Sequence, residues 1–420
     1  MRNLATIFML AVASASFGQA QMQMSVEVTN PTKQARKDAP VVVQVPKNDA
    51  WQNAVVTLNG KEIPSQLDDL DQDGWKDELA FTTDIDKKET QKFNITLKKE
   101  AVDSAYPNRT FAEIVLRNPK IKIKNKHNYY LQELSLDKNC FDPYHLPHHH
   151  GVAFENELIA MRIYFDERQT IDLYGKYNKG LELKATQFYT DPQQKAAGYG
   201  DDILWVGNTF GFGALRGWDG NKPTMISDVN SRDQRIISYG PARTIVEVED
   251  RGWKPEGSKI RMNLRIRYTL WAGHRDMDVD VHLSHPAEGI GFSTGLIHMK
   301  NSEEFSDHDG LRGQWGYDWP AGANDTIGKK QETIGMGIYI PEKIRVKEVP
   351  ADKDNYTFVI GTPGNDMHYT LTYSSDDETF GYHNSKDWFK YLKEWRKEVE
   401  TPVIVKVLSP EPMATNNTTK

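Results

Sequence analysis

The chain has 420 residues, with 52 lysines and arginines against 59 aspartates and glutamates, so its formal net charge at pH 7 is −7. This balance leaves no basic excess for binding a phosphate backbone, and a hydrophobic content of 38% is too low for a protein with several membrane spans. Aromatic residues make up 10% of the chain, which is too many for a disordered protein. We therefore expect a globular protein of two or three domains that does not bind nucleic acid.

The first 20 residues have the pattern of an export signal. A basic start at Arg2 precedes an apolar run from Leu4 to Phe17, and Gly18-Gln19-Ala20 is a small-x-small cleavage site. The run is shorter than the roughly 20 apolar residues of a membrane-spanning helix, so we predict cleavage before Gln21 and no membrane span. We expect export to the periplasm, with secretion as the alternative.

Residues 21–105 predict a small N-terminal β-sandwich. Its segments alternate polar and apolar side chains and are rich in β-branched residues, which is the pattern of half-buried strands. Asn59-Gly60 follows the third segment directly and is a strong hairpin signal. The predicted strands are Ser25–Thr29, Pro40–Val45, Ala54–Leu58 and Phe93–Leu97.

Residues 106–413 predict a second, larger β unit, followed by a disordered tail at 414–420. Lys259–Leu270 alternates over its whole length, and so long a strand suits a large twisted sheet. Ser385–Glu400 has helical spacing with Ser385 as its N-cap, and Val403–Leu408 returns to strand. Further predicted strands are Thr244–Glu249, Met277–Leu283, Gly335–Ile340, Tyr356–Ile360 and Tyr369–Tyr373.

An acidic loop in the N-terminal unit places carboxylates at alternate positions beside a glycine. Asp69, Asp71, Asp73 and Asp77 surround Gly74, which permits a sharp turn, and this spacing is typical of the first part of a calcium-binding loop. The acidic residue that closes such a loop is absent. The sequence is compatible with a structural calcium ion on these four aspartates and with an acidic turn whose side chains cap their own backbone.

A histidine cluster precedes the long strands. His145 is followed by His148, His149 and His150, which could ligate a metal, act as acid and base, or bind a carboxylate. On an extended segment neighbouring side chains point to opposite sides, so His148 and His150 should share a face and His149 should point away. A solvated loop is the alternative, and no recognised zinc motif is present.

A hairpin after the histidines predicts a polar sheet face. Arg162 and Tyr164 alternate with apolar residues on one strand, and Asp172, Tyr174 and Lys176 do so on the next. With a turn at 167–169, Tyr164 should pair with Asp172 and Arg162 with Tyr174. These groups would form either a reactive face or an ordinary solvated sheet surface.

Two glycine-rich segments add aromatic platforms and an arginine. Trp205 and Trp218 could stack on sugar rings, and Arg216 could bind a hydroxyl or a carboxylate. The glycines do not form the nucleotide-binding fingerprint, and no G-x-S-x-G elbow is present. An exported protein with such segments suits a carbohydrate ligand.

Four motifs in order resemble the domain-of-unknown-function 4861 family, exported proteins of polysaccharide-degrading bacteria. They are Pro64–Leu79, His148–Glu157, Asp172–Lys176 and Gly335–Pro341. The resemblance implies an all-β fold with a large β-supersandwich of galactose-mutarotase type, beside the small N-terminal sandwich and one C-terminal helix. It also implies a place in polysaccharide breakdown. The functional relative that the resemblance suggests is an ulvan oligosaccharide dehydratase, which removes water from a terminal uronic acid and leaves a 4,5-unsaturated sugar.

The hairpin face supplies groups for this reaction. Arg162, a protonated histidine or a metal could neutralise the uronate, His150 or Lys176 could be the base, and Tyr164 or Tyr174 could be the acid. No cofactor is required. The predicted substrate-binding residues are His148, His149, Glu155, Asp172, Trp205, Arg216 and Trp218.

Three other functions remain open for an anionic oligosaccharide ligand. A glycoside hydrolase would use two carboxylates, and a polysaccharide lyase would cleave the chain at a uronate. A mutarotase-like sugar-binding protein would use the aromatic residues alone, and the oligomeric state is open. The candidate carboxylates for a hydrolase are Glu155, Asp166, Asp172, Asp201 and Asp202.

Overall fold

The computed structural model describes residues 21–47, 49–102, 106–118, 120, 128–322, 326 and 329–408. The predicted export signal at 1–20 and the predicted tail at 414–420 lie outside the described residues. Within the described ranges, no helix is both long enough and apolar enough to cross a membrane.

The N-terminal unit is the predicted small β-sandwich. Its strands are β1 (Gln21–Thr29), β2 (Arg36–Gln44), β3 (Asn53–Leu58), β4 (Lys61–Ile63), β5 (Ser65–Asp68), β6 (Glu78–Ile85) and β7 (Thr90–Lys98). They form two sheets, and the side chains that alternate inward from both form a separate apolar core. Val26, Val41, Phe81 and Phe93 are fully buried in it.

The larger unit begins with a hairpin region and two short helices. Its elements up to residue 224 are β8 (Thr110–Leu116), β9 (Tyr129–Leu131), β10 (Glu133–Asp137), β11 (Gly151–Asn156), β12 (Ala160–Tyr164), β13 (Ile171–Gly175), α1 (Leu183–Thr186), α2 (Pro192–Ala196), β14 (Asp201–Asp202), β15 (Arg216–Trp218) and β16 (Pro223–Thr224).

Longer strands follow and lead to the C-terminal helix. They are β17 (Ser231–Ser238), β18 (Arg243–Trp253), β19 (Met262–Trp271), β20 (Asp276–Leu283), β21 (Gly291–Ile297), β22 (Asn301–Ser306), β23 (Leu311–Asp318), β24 (Glu332–Tyr339), β25 (Arg345–Glu348), β26 (Asn355–Ile360) and β27 (Asp366–Ser375), then α3 (Ser385–Glu400) and β28 (Ile404–Leu408).

Three sheets make the supersandwich. The largest has the order β10-β17-β18-β19-β20-β27-β24-β23-β22, the hairpin sheet has the order β14-β13-β12-β11-β8-β9, and the third has the order β16-β15-β21-β26-β25. Apolar side chains from all three form one continuous core. The predicted all-β supersandwich with a small N-terminal sandwich and a C-terminal helix is therefore confirmed.

Two local predictions at the C-terminus are corrected. Asn384, not Ser385, is the N-cap of α3, because its side chain accepts a hydrogen bond from the amide of Asp387 at 2.9 Å. The strand β28 pairs with β1 and so joins the N-terminal sheet, although the sequence placed it in the larger unit. An apolar strand gives no indication of its partner sheet.

The register of the β12–β13 hairpin also differs from the prediction. Arg162 pairs with Asp172 and Ala160 with Tyr174, because the turn is wider than 167–169 and closes where Tyr164 N donates to Thr170 O at 3.1 Å. The prediction was therefore wrong by two residues. A shift of two leaves every side chain on its predicted face, so the polar face survives the error.

Candidate functional site

A cleft opens at the edge of the hairpin sheet, where β14 meets the start of β24. Its volume is about 630 Å³. The walls come from the segment before α2, from β14 and from the chain leading into β24. The residues that line it are Tyr177, Tyr189, Thr190, Lys195, Asp201, Asp202, Pro320, Lys329, Lys330 and Glu332. Acids, lysines and tyrosines thus face one another across a space large enough for a sugar ring.

The Arg162 guanidinium on β12 connects this cleft to the buried hairpin. Its Nη2 donates to Asp172 Oδ2 at 2.6 Å and to Asp202 Oδ2 at 2.9 Å, and its Nε also donates to Asp172. Its Nη1 donates to Tyr189 Oη at 2.8 Å, and Phe188 packs on the guanidinium with its ring centre 4.1 Å away. One buried cation therefore orients two groups that line the cleft.

Asp172 and Asp202 share this single cation. Asp172 is fully buried, whereas Asp202 reaches the cleft. Burial and the negative charge of Asp172 raise the pKa of Asp202 well above its ordinary value, against the opposing effect of Arg162. Asp202 therefore favours its protonated form more than an ordinary aspartate does, and it presents this carboxyl group to the cleft.

Tyr189 and His150 form a hydrogen-bonded pair beside the arginine. His150 Nδ1 lies 2.9 Å from the carbonyl oxygen of Tyr144, so Nδ1 carries the hydrogen of the neutral ring and Nε2 is an acceptor. Tyr189 Oη lies 3.0 Å from His150 Nε2 and already accepts from Arg162. The Tyr189 hydroxyl therefore donates to His150.

His150 is held in its neutral form by its surroundings. Burial, followed by the charge of Arg162, lowers the pKa of His150 to about 3. Its ring stacks on Tyr144 with the centres 3.8 Å apart, and its backbone is left-handed with φ of 70°. Such a conformation is uncommon for a residue with a side chain and is typical of functional turns.

The opposite wall carries a second acid with a raised pKa. Burial raises the pKa of Glu332 to about 8, and the nearby Asp377 acts in the same direction against Lys330. The Lys330 ammonium lies 3.5 Å from Glu332, while Lys195 pairs with Asp201 across the cleft mouth. An anionic ligand would thus meet two acids with raised pKa values and two lysines that are ion-paired, Lys195 with Asp201 and Lys330 with Asp377.

Lys176 and Glu155, predicted as a base and a substrate-binding residue, have structural roles instead. Both are fully buried. Lys176 Nζ donates to Glu155 Oε2 at 2.6 Å, to Asn156 O at 2.6 Å and to Gly180 O, which uses all three of its protons. Glu155 also accepts from two backbone amides at the start of α1. Neither side chain reaches the cleft.

The other predicted residues of the hairpin and histidine region lie behind the cleft. Tyr174 is fully buried and donates to Glu182 at 2.9 Å, so its predicted role as the acid is wrong. Tyr164 donates to Asp172 at 2.7 Å and supports the arginine's partner rather than a substrate. His149 is fully buried, and so does not bind substrate.

The predicted alternation of the histidines is confirmed. His148 and His150 both lie against Tyr189, and the ring centre of His148 is 6.1 Å from that of the tyrosine. His148 Nδ1 accepts a hydrogen bond from Arg117 at 2.5 Å.

The aromatic platforms do not gather at the cleft. Trp205 is 55% exposed and packs beside Gly322, two residues from the cleft-lining Pro320. Trp218 lines a separate groove on another part of the surface, and Arg216 is buried, donating to Thr170 and to backbone carbonyls. Arg216 is therefore too buried to bind a ligand, and Trp218 lies outside the cleft because β15 belongs to a different sheet. The predicted substrate-binding role of Trp218 stays a prediction.

Three of the four acidic-loop side chains converge. Asp69, Asp71 and Asp77 each place a carboxylate oxygen within 4.8 Å of the others. Asp73 instead accepts a hydrogen bond from the amide of Trp75 at 2.8 Å, as in the capping alternative. The Lys47 ammonium lies 2.6 Å from Asp77 and already supplies one positive charge to the group.

Sequence reasoning missed Tyr189, Glu332, Lys330 and Lys195. The segment around Tyr189 has no regular periodicity, and Glu332 opens a strand whose polar residues give no sign of the sheet edge they meet. A tyrosine between the histidines and Asp201-Asp202 was the available signal. The reason to single out this tyrosine appears only in the fold, where Arg162 donates a hydrogen bond to its hydroxyl group.

The family described as "Domain of unknown function (DUF4861)" matches residues 28–405, and no curated protein matches the chain. Among solved structures, an alpha-mannosidase from Enterococcus faecalis V583 is similar, with a TM-score of 0.42, 10% identity and coverage of 92% of this chain and 46% of that one. A glycosyl hydrolase family 38 protein from Enterococcus faecalis is similar with a TM-score of 0.44 and 10% identity, and the match covers 94% of this chain and 48% of that one. The chain spans less than half the length of these two proteins.

Replacing Lys176 with methionine tests its structural role. The substitution leaves the Glu155 carboxylate buried without its cation, so we expect a loss of about 3–5 kcal/mol in the free energy of unfolding, measured by denaturant titration. Lys195→Met is the control, because its partly exposed ion pair contributes at most about 1 kcal/mol. A Lys176→Met protein of normal stability would contradict the structural role and return this lysine to the candidates for the base.

Proposed function

The chain belongs to the DUF4861 family, and from this premise we propose that it is a carbon–oxygen lyase acting on anionic oligosaccharides. The proposed reaction is dehydration of the non-reducing-end uronic acid, as in fragments of ulvan, to give a 4,5-unsaturated residue. The observation that carries the proposal is the cleft in which Arg162 contacts both Asp202, an acid whose pKa is raised, and a tyrosine–histidine pair.

The reaction requires three groups. The C5 hydrogen lies next to a carboxylate, and its removal becomes feasible only when that carboxylate is neutralised as negative charge develops. A base must take the C5 proton, and an acid must protonate the C4 hydroxyl so that it leaves as water. The cleft offers candidates for all three.

We assign neutralisation to Glu332 and Lys330. A protonated carboxylic acid can donate to the uronate, and an adjacent ammonium adds a positive charge. Burial raises the pKa of Glu332 to about 8, so this donor is present at neutral pH. Lys195, Lys329 and Lys330 line the cleft and supply positive charge toward an anionic sugar.

We assign the proton transfers to Tyr189, His150 and Asp202. Tyr189 Oη takes the C5 proton while its own proton passes to His150 Nε2, and Arg162 stabilises negative charge on the phenol oxygen during the transfer. Asp202 gives its proton to the C4 oxygen, which leaves as water. The pair of electrons from the broken C5–H bond forms the C4=C5 bond, so the step is balanced.

The low pKa of His150 is compatible with this role. It keeps Nε2 unprotonated in the free protein, and a bound uronate adds a negative charge that raises the pKa of the imidazole. A bound uronate thus makes His150 a stronger base.

A glycoside hydrolase is the second candidate, because Asp202 and Glu332 line the same cleft. Hydrolysis by two carboxylates needs one ionised and one protonated group. Here burial raises the pKa of both acids, which favours proton donation over nucleophilic or base chemistry. This charge state favours the dehydratase over the hydrolase.

Export to the periplasm and a structural calcium ion complete the proposal. Asp69 Oδ1 is buried without a hydrogen-bond partner among the described residues, and a bound cation would satisfy it. Asp69, Asp71 and Asp77 would hold the ion, whose role is to stabilise the N-terminal unit; none of the three lines the cleft.

The dehydratase is tested with uronate-terminated oligosaccharides. We expect the ultraviolet absorbance of a conjugated double bond and a mass lower by one water, without chain cleavage. Tyr189→Phe should lower kcat by about 10²–10⁴ because it removes the group that moves the proton. Tyr174→Phe is the matched control: its hydroxyl is buried outside the cleft, so it should keep most of its turnover. New reducing ends without the absorbance would support the hydrolase instead.

The pH profile tests Glu332. Its protonated form is the active one, so kcat/KM should fall as the pH rises through the pKa of about 8. Glu332→Gln keeps a donor that cannot ionise and should remove this decline. Asp377→Asn removes a nearby negative charge that raises the pKa of Glu332, so it should move the decline to lower pH. An unchanged profile in both variants would exclude Glu332 as the titrating acid.

The calcium proposal is tested by thermal unfolding. A chelator should lower the melting temperature of the wild type, because it removes a ligand that binds only the folded state. Asp77→Asn should abolish the chelator's effect, and Asp73→Asn should preserve it, since Asp73 lies outside the convergent group. If the chelator changes neither the melting temperature of the wild type nor its amount of bound calcium, the loop binds no calcium. Lys47 then supplies the positive charge that the aspartates require.

A further inference from the structure

A buried acid and a buried imidazole lie directly behind the proposed site and take no part in its chemistry. Glu113 is on β8, and His149 is in the turn before β11; both are essentially inaccessible to solvent. Glu113 Oε1 lies 3.1 Å from His149 Nε2, and His149 Nδ1 lies 2.9 Å from the carbonyl oxygen of Gly151. This arrangement bridges a sheet strand and the turn that carries His150.

The hydrogen-bond partners determine where the protons are. The Gly151 carbonyl can only accept, so His149 Nδ1 carries a hydrogen. If the ring is neutral, its Nε2 has a lone pair, and Glu113 must supply the hydrogen as an uncharged carboxylic acid. The competing arrangement is an ion pair in which a charged imidazolium donates to both partners.

The surroundings favour the neutral arrangement. Burial raises the pKa of Glu113 to about 8, although the ammonium of Lys184 acts in the opposite direction. Burial and the charge of Arg162 lower the pKa of His149 to about 3. Both shifts favour the uncharged forms of Glu113 and His149, because water cannot solvate an ion pair at this depth.

The pair constrains the backbone on both sides of His150. The His149 ring is tied to the Gly151 carbonyl, so it closes a loop around the intervening residue, whose φ is 70°. The carbonyl oxygen of His150 accepts from Phe165 N at 2.7 Å. Gly151 itself has no room for a side chain, since a Cβ would lie 1.8 Å from Ile163 O. The imidazole of His150 is thus aimed at Tyr189 by a rigid turn.

We propose that Glu113, acting as an uncharged hydrogen-bond donor, and His149 are positioning residues that fix the His150 ring against Tyr189. This inference rests on the proposed function for its kinetic consequence only. The positioning of the His150 ring is a property of the substrate-free protein and does not depend on the reaction.

The test compares two substitutions of similar size. Glu113→Gln keeps an N–H donor toward His149 Nε2, so the turn should be preserved and kcat should stay close to wild type. Glu113→Met has a similar shape but no donor, so the ring should lose its anchor. We expect kcat to fall by about 10- to 100-fold while KM changes little, because misplacement of a reacting group affects turnover more than binding.

A measurement without substrate separates this proposal from the dehydratase. In ¹⁵N-labelled protein, the imidazole nitrogen shifts of His150 should match the wild type in Glu113→Gln and should differ in Glu113→Met. This holds even if the protein has another activity. Circular dichroism and thermal unfolding establish that each variant is folded before its spectrum is interpreted.

Two results would overturn the proposal. If Glu113→Gln perturbs the His150 signals as strongly as Glu113→Met does, the wild-type pair is ionic and the uncharged donor is wrong. If neither variant perturbs them, the pair has no positioning role, whatever the effect on stability. Should Glu113→Met fail to fold, the comparison of Glu113→Gln with the wild type still distinguishes the neutral pair from the ion pair.

Discussion

The contact on which the site depends is the Arg162 guanidinium and its two carboxylates. A buried arginine needs a negative charge nearby, and Asp172 supplies it from the neighbouring strand. The second acid, Asp202, is then in excess of the charge that the cation can balance, and its pKa is raised well above the ordinary value. The same guanidinium orients Tyr189, which makes the acid and the tyrosine–histidine pair consequences of one buried ion pair.

Burial is the common cause of the protonation states around the cleft. It raises the pKa of Asp202, Glu332 and Glu113 and lowers that of His150 and His149. A site built in this way holds hydrogen-bond donors where a solvent-exposed site would hold carboxylates. Such donors suit an anionic ligand, since ionised acids at the same positions would repel it.

The fold and part of the site could be predicted from the sequence for a specific reason. Alternation in β19 and helical spacing in α3 are local signals, and both elements form close to their predicted bounds. Arg162 and His150 were identified because a polar hairpin face and a histidine run are visible within a few residues. Tyr189 and Glu332 were missed because their function depends on which sheet edges meet, a property set by tertiary packing.

The errors at Lys176, Tyr174 and Glu155 have one origin. Alternation along a strand tells which side chains share a face, but it does not tell whether that face is covered. Here the segment containing α1 and Phe188 lies over part of the hairpin, so Lys176, Glu155 and Tyr174 became a buried network. Arg162 lies on the same face near the border of the cover and keeps contact with the cleft through Asp202 and Tyr189. The boundary between structural and candidate reactive residues is thus the edge of the covering segment, and Tyr189 belongs to that segment.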